Sequence, residues 1–199
     1  MLARAFGLEG SPGWRRILEE TIMTRPLLGI SQALAALEVR SGRVLTQDAR
    51  RDLIAAWGEA SAANQLHADA LPVLRGLGDR TGDRRLRLAL LSNTQSFDMD
   101  FLARSGLEAC FDVIQLSCHT GLLKPDRQAF LAAAGMLRVP AGEILMVGDS
   151  LEDDIEGARA AGMRALLLDR KAGSRGREPG AVTSLWELRD RLTAAWERA

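Results

Sequence analysis

The chain has 199 residues, 47% hydrophobic and 26% charged, and its 26 basic residues balance 26 acidic ones. That length holds one domain of ordinary size, or one core with a small appendage, and zero net charge excludes bulk electrostatic recognition of nucleic acid or an anionic membrane. No apolar run reaches a membrane span, the opening MLARAFGLEGSPGWRR lacks a signal-peptide core, and two cysteines without a CxxC pair imply neither zinc site nor disulfide framework, so a cytoplasmic protein is expected.

Residues 1–66 read as helices alone. Ser11 and Pro12 form a helix cap and first-position proline, followed by Trp14, Ile17, Leu18, Thr21 and Ile22 at helical spacing. A second helix is expected from Ser31 to Arg40 with Leu34 and Leu37 on one face. Thr46 caps a third, which turns Leu53, Ile54 and Trp57 inward. Trp14 and Trp57 are placed in the core rather than in a pocket, because aromatic residues at helical spacing usually pack there.

From His67 onward helix and strand alternate. A helix over Leu71–Leu77 precedes a buried strand, Leu86–Leu91, that ends in Ser92-Asn93-Thr94. Ser96 to Ser105 is helical, with Gly106 as its stop, and Val113–Leu116 is a short strand. The loop SCHTGLLKPD leads into a helix over Asp126–Met136. Ile144–Val147 is an apolar run suited to a strand covered on both faces. A helix capped by Ser150 and closed by Gly162 comes next, then a strand at Ala165–Leu168 and a Gly/Arg-rich loop at 171–180. Ser184 caps a closing helix bearing Leu185, Leu188 and Leu192. The alternation predicts an α/β fold with a doubly wound parallel sheet (residues 67–199) and a small all-helical domain (residues 1–66).

Ligands of such sheets bind where a strand's carboxyl end meets a helix. Four acids in six residues, Asp149, Glu152, Asp153 and Asp154, crowd that spot after Val147. Capping and the helix dipole account for Ser150, Glu152 and Asp153, at roughly 0.3–1 kcal/mol for each acid. They do not account for Asp149. Two carboxylates about 4 Å apart repel by roughly 4 kcal/mol at an effective dielectric near 20, so convergence of Asp149 and Asp154 calls for a cation or a shared proton. All-oxygen ligands favour Mg²⁺. Of the basic residues only Lys124 and Lys171 are lysine. A chain so biased to arginine draws attention to Lys124, a compact point charge where a planar fork is the rule. His67 and His119 lie far apart in the chain and receive no role. Ser92-Asn93, Lys124 and the acids together supply a hydroxyl, amides, a cation and metal-binding carboxylates, which is what a phosphate dianion requires.

These segments resemble the haloacid dehalogenase-like (HAD) hydrolase superfamily, in its form with a small helical cap. LALLSNT (88–94) resembles its second motif, GLLKPDRQAF (121–130) its third and MVGDSLEDD (146–154) its fourth. The resemblance implies that Ser92 and Asn93 bind the phosphoryl group and that Lys124 neutralises its charge. It implies that Asp149 and Asp154 hold Mg²⁺, with Asp153 at a position that is often asparagine. A Rossmann-like core and a metal-dependent phosphatase acting on a small phosphorylated metabolite are the expectation. Family members also carry an apolar strand ending in DxD, whose first aspartate is the nucleophile and whose second is the acid/base. Here no aspartate precedes Asp48, which sits in a helix without a strand before it. The nucleophile has no counterpart, and a chain lacking the central first strand, inactive until it is restored, is the expectation. A non-catalytic phosphate- and metal-binding protein is the alternative; a nucleotide-binding module has no GxGxxG or GxxxxGK[ST] to support it.

Overall fold

The computed structural model describes residues 1–10, 12–78, 86–97, 99–171 and 180–198. The chain divides into two compact units. The first comprises Met1–Gln65, Leu91–Arg104 and Gln115–Leu123; the second comprises Leu66–Leu90, Ser105–Ile114 and Lys124–Ala199.

The first unit is built on helices α1 (Leu2–Ala5), α2 (Trp14–Ile22), α3 (Ile30–Ser41) and α4 (Gln47–Ala62). Helix α2 begins later than the Ser11-Pro12 pair suggests. Its cap is Gly13, whose left-handed backbone (φ 73°) admits helical geometry only from Trp14 onward, and Ser11 lies outside the described residues. Thr46 caps α4 as expected, accepting from the Ala49 N–H at 3.2 Å. Leu34 and Leu37 of α3 are fully buried with Phe6, Ile22 and Leu27, each large side chain contributing about 1.5–3 kcal/mol on burial. Trp57 packs on this core and meets the buried Phe97 ring at 5.4 Å between centroids, whereas Trp14 is exposed. Glu38 closes the α3–α4 turn by accepting from the Leu45 N–H and from Arg50. These two contacts hold its carboxyl below the usual range.

Strand β1 (Ala89–Ser92) pairs with β2 (Val113–Leu116), and β3 (Leu145–Gly148) pairs in parallel with β4 (Arg164–Leu167). The α/β expectation holds, in the form of two short two-stranded sheets with no strand joining them among the described residues. Two strands cannot cover each other fully, so β1 and most of β3 are half-buried rather than enclosed. β1 is also shorter than expected. The Leu88 N–H is taken by the Asp112 carboxylate (2.8 Å) before the ladder begins.

The expected helix over Ser96–Ser105 shrinks to α6 (Asp100–Arg104), and Ser117–Thr120 folds into one helical turn, α7, ended by Gly121 at φ 73°. At Ser96 a side-chain bond to distant backbone takes the place of the expected helix, whereas Ser117 makes such a bond from within a helical turn. Ser96 and Ser117 each hold a distant residue's peptide groups, as described below.

In the second unit α5 (Ala70–Gly78) packs on α10 (Leu185–Glu197), and α8 (Arg127–Leu137) packs on α9 (Gly157–Ala160). Asp126 caps α8 and Ser184 caps α10 through their side chains. Asp69 is buried and takes both Arg170 nitrogens (2.8 and 3.0 Å) together with the Leu185 N–H (2.7 Å). It thereby joins the start of α5, the residues after β4 and the first turn of α10. Burial alone would raise its carboxyl pKa, but the Arg170 guanidinium and the Leu185 amide outweigh burial and hold it below the usual range. The Gly/Arg-rich stretch after Lys171 lies, in residues 172–179, outside the described residues.

Candidate active site

In the second unit β3 ends at Gly148, and Asp149 leads to Ser150, the cap of the following turn. Ser150 Oγ accepts from the Asp153 N–H at 3.1 Å, as a capping residue should. The helix then differs from the expected α form. Leu151–Glu156 is a π-helical stretch in which the Ile155 N–H reaches back to the Ser150 carbonyl (3.2 Å), and the α-helical α9 begins at Gly157. Such wide turns are rare and collect at functional sites. This one turns Asp153 and Asp154 inward, so that both are buried, while Asp149 and Glu152 remain exposed.

Asp154 is the centre of the cluster. Its Oδ2 accepts from the Ser150 N–H at 3.0 Å, and its Oδ1 accepts from the Lys124 ammonium at 2.6 Å. The two side chains are 13% and 4% exposed, lysine first. In an ion pair this dry the attraction is set against a large desolvation cost, and removing either member alone leaves an uncompensated buried charge. Lys124 stands before a cis bond to Pro125, and the chain then enters α8 through the Asp126 cap.

Two glycines make room for the arrangement. A Cβ on Gly148 would fall 2.6 Å from the Asp154 Cβ and closer still to its carboxylate; one on Gly157 would fall 2.7 Å from the Phe130 ring and 3.1 Å from the Pro125 Cα. Neither glycine is needed for an unusual φ. The constraint is space, and it lets the acid lie across the strand end and the helix approach the Lys124-Pro125 segment.

Asp153 Oδ2 accepts from the Ser150 hydroxyl (3.1 Å). Among the described residues no three His, Cys, Asp or Glu side chains converge as a metal site. Mg²⁺ commonly takes only one or two carboxylates, completing its shell with water and substrate phosphate. Asp149 is exposed and precedes Ser150, whose N–H bonds Asp154 Oδ2, so the chain brings two carboxylate-bearing residues to one strand end, the number Mg²⁺ commonly takes.

Ser92 and Asn93 belong to the first unit, at the end of β1, where both are half-buried. His67 and His119 are exposed. Asp48, the first aspartate, is an exposed residue of α4 paired with Arg51 at 3.0 Å. The residues missed by sequence reasoning are Gly148, Gly157, Ser96 and Ser117. For the first two the signal was present, since Gly148 lies within the fourth motif and Gly157 three residues after it.

A family model described as haloacid dehalogenase-like hydrolase matches residues 2–162. The chain belongs to the haloacid dehalogenase-like hydrolase family. Among relatives of this HAD chain, a phosphoserine phosphatase of Thermus thermophilus is 38% identical over 103 residues, covering 51% of this chain and 41% of that protein. The human haloacid dehalogenase-like hydrolase domain-containing protein 3 is 30% identical over 179 residues, covering 83% of this chain and 71% of its own. The crystal structure of a HAD phosphatase from Thermococcus onnurineus superposes with a TM-score of 0.60 at 26% identity, covering 96% of this chain and 84% of that one. The chain spans about half the length of the curated relatives it matches. No helix among the described residues is long and apolar enough to cross a membrane.

Proposed function

We propose that this HAD chain supplies the phosphate- and metal-binding share of a Mg²⁺-dependent phosphatase for a small phosphorylated metabolite, with the protein in the cytoplasm. The observation that carries the proposal is the buried Lys124–Asp154 pair at 2.6 Å, at the carboxyl end of β3 and beside an exposed Asp149. A chain nearly devoid of lysine keeps one there. Family membership and the phosphatase names of its relatives support the same class of reaction.

In this reading Ser92 donates its hydroxyl to a phosphoryl oxygen, and Asn93 binds alongside. The Lys124 ammonium offsets the dianion's charge while Asp154 holds the ammonium in place. Asp149 and Asp154 hold Mg²⁺, which when bound would polarise a phosphoryl oxygen and offset charge built up in the transition state. Asp153 and Ser150 fix the turn that presents them. Cys110 and Cys118 are both free thiols, in keeping with a cytoplasmic location. Cap residues choose the substrate in such a scaffold, so the fold does not select among metabolites.

No aspartate precedes Asp48, so the apolar strand ending in DxD that family members carry before the helical cap has no counterpart in these 199 residues, and turnover by them alone is not expected. The test offers an aryl phosphate, with and without Mg²⁺, to this chain and to a version extended by an apolar strand ending in DxD. Hydrolysis only by the extended protein with Mg²⁺ supports the proposal. Hydrolysis by the 199-residue chain would refute the assignment of the nucleophile. Phosphate binding without turnover in either version would favour the non-catalytic alternative.

A further inference from the structure

Ser92 is the last residue of β1, and from Asn93 the described residues form neither helix nor strand until α6. Two serines hold this segment instead, by the same device. Ser117, buried at 1% exposure, accepts from the Thr94 N–H at 2.9 Å and donates to the Thr94 carbonyl at 3.2 Å. Ser96 Oγ accepts from the Leu27 N–H at 2.6 Å and donates to the Leu27 carbonyl at 2.8 Å. Each hydroxyl thus spends its donor and an acceptor on both peptide groups of one residue. Rotation of φ or ψ at Thr94 moves its N–H and carbonyl apart and would break at least one of the bonds to Ser117.

All of these residues lie in the first unit. Phe97, next to Ser96, is buried in that unit's helical core against Trp57, and Leu27 lies in the same core. The loop is therefore pinned at Thr94, at Ser96 and at Phe97, beginning one residue beyond Asn93. Donors fixed before an anion arrives need no reorganisation when it binds, and this is where electrostatic stabilisation gains most. A loop with the same residues but free backbone would have to order itself on each binding event.

We infer that Ser117 and Ser96 are positioning residues: by clamping Thr94 and Leu27 they set the backbone that presents Ser92 and Asn93 to a phosphoryl group. The inference rests on the assignment of Ser92 and Asn93 to phosphate binding proposed above. It also ties the phosphate-binding loop to the segment between α2 and α3, through Leu27.

The experiment uses the full chain, labelled for amide exchange and titrated with inorganic phosphate in the presence of Mg²⁺. In Ser117→Ala the Thr94 amide exchanges at least tenfold faster while the amides of α8 keep their rates, and the phosphate Kd rises about fivefold, the equivalent of one net hydrogen bond. Ser96→Ala raises the Kd in the same direction, and Ser117→Thr, which keeps the hydroxyl, stays within about twofold of wild type. Ser96→Ala decides the matter if Ser117→Ala fails to fold. An unchanged Thr94 exchange rate in Ser117→Ala overturns the clamp. An unchanged Kd in the alanine variants, with binding lost in Ser92→Ala, overturns the positioning role and leaves the phosphate site standing. Wild type that does not bind phosphate, or binds it equally after Ser92→Ala, overturns the functional reading and the positioning role with it.

Discussion

Replacing Gly148 by alanine adds one methyl group at the place where β3 meets the acid cluster. The new Cβ would stand 2.6 Å from the Asp154 Cβ, well inside van der Waals contact, with the carboxylate closer still. Rotation of the Asp154 side chain cannot relieve the clash, because the Asp154 Cβ is itself one of the clashing atoms and is fixed to the helix backbone. Either β3 or the π-helical turn has to shift. Both oxygens of Asp154 are engaged, one with Lys124 at 2.6 Å and one with the Ser150 N–H at 3.0 Å, so a shift separates a buried charge pair. Breaking such a pair costs about 3–5 kcal/mol, a large share of the roughly 5–15 kcal/mol that stabilises a typical domain. With a urea slope of about 2 kcal/mol/M the unfolding midpoint should fall by about 2 M. Gly142→Ala is the control, since nothing lies within 4 Å of a Cβ there; it should change stability by less than about 0.5 kcal/mol. Equal midpoints for the two variants would refute the claim that Gly148 is glycine to admit Asp154.

Three further outcomes are expected. Asp69→Asn should cost about 2–3 kcal/mol in urea unfolding, because the Arg170 guanidinium loses its buried carboxylate partner. It should also flatten the acid limb. The folded-state pKa of Asp69 is depressed, so its contribution is present above the unfolded value near 3.9 and is lost as pH falls through the lower folded value. Below about pH 4 the wild-type Tm should therefore drop more steeply than that of Asp69→Asn. Phe97→Ala should lose about 3–5 kcal/mol by emptying the site against Trp57, read by denaturant unfolding with loss of the near-ultraviolet tryptophan signal. Mg²⁺ at a hundred times its Kd should add about 2.7 kcal/mol to wild-type stability in a thermal shift and nothing to Asp149→Asn.

Much of the fold was legible where one local signal faced no rival. Thr46, Asp126 and Ser184 each precede a helix and cap it, because a hydroxyl or carboxylate reaches the N–H groups of the first turn without help from elsewhere. Leu34 and Leu37 fall on one face of α3 and are buried. The acids after β3 and Lys124 stood out by type, and the Lys124–Asp154 contact brings residues thirty positions apart together. What escaped notice depends on distant partners. The sequence around Ser96 predicts a helix, but its hydroxyl is bound to Leu27, 69 residues away. Ser117 lay in an apparent loop and proved to be a buried clamp on Thr94. The helix after Ser150 was foreseen, but its π-form was not, since no residue pattern distinguishes the bonding of Ile155 to Ser150 from an ordinary turn. The strand pairing into two separate sheets was likewise invisible, because strand patterns record burial rather than neighbours.

The claim on which the account depends is that Lys124, Asp154 and Asp149 form a site for phosphate and a divalent ion. Calorimetric titration of the chain with inorganic phosphate in the presence of Mg²⁺ tests it most directly. Saturable binding to wild type is predicted, weakened at least tenfold in Lys124→Met and in Asp149→Asn and unchanged in Lys171→Met, which removes the other lysine. Equal phosphate affinity in all four proteins, or none in wild type, would contradict it.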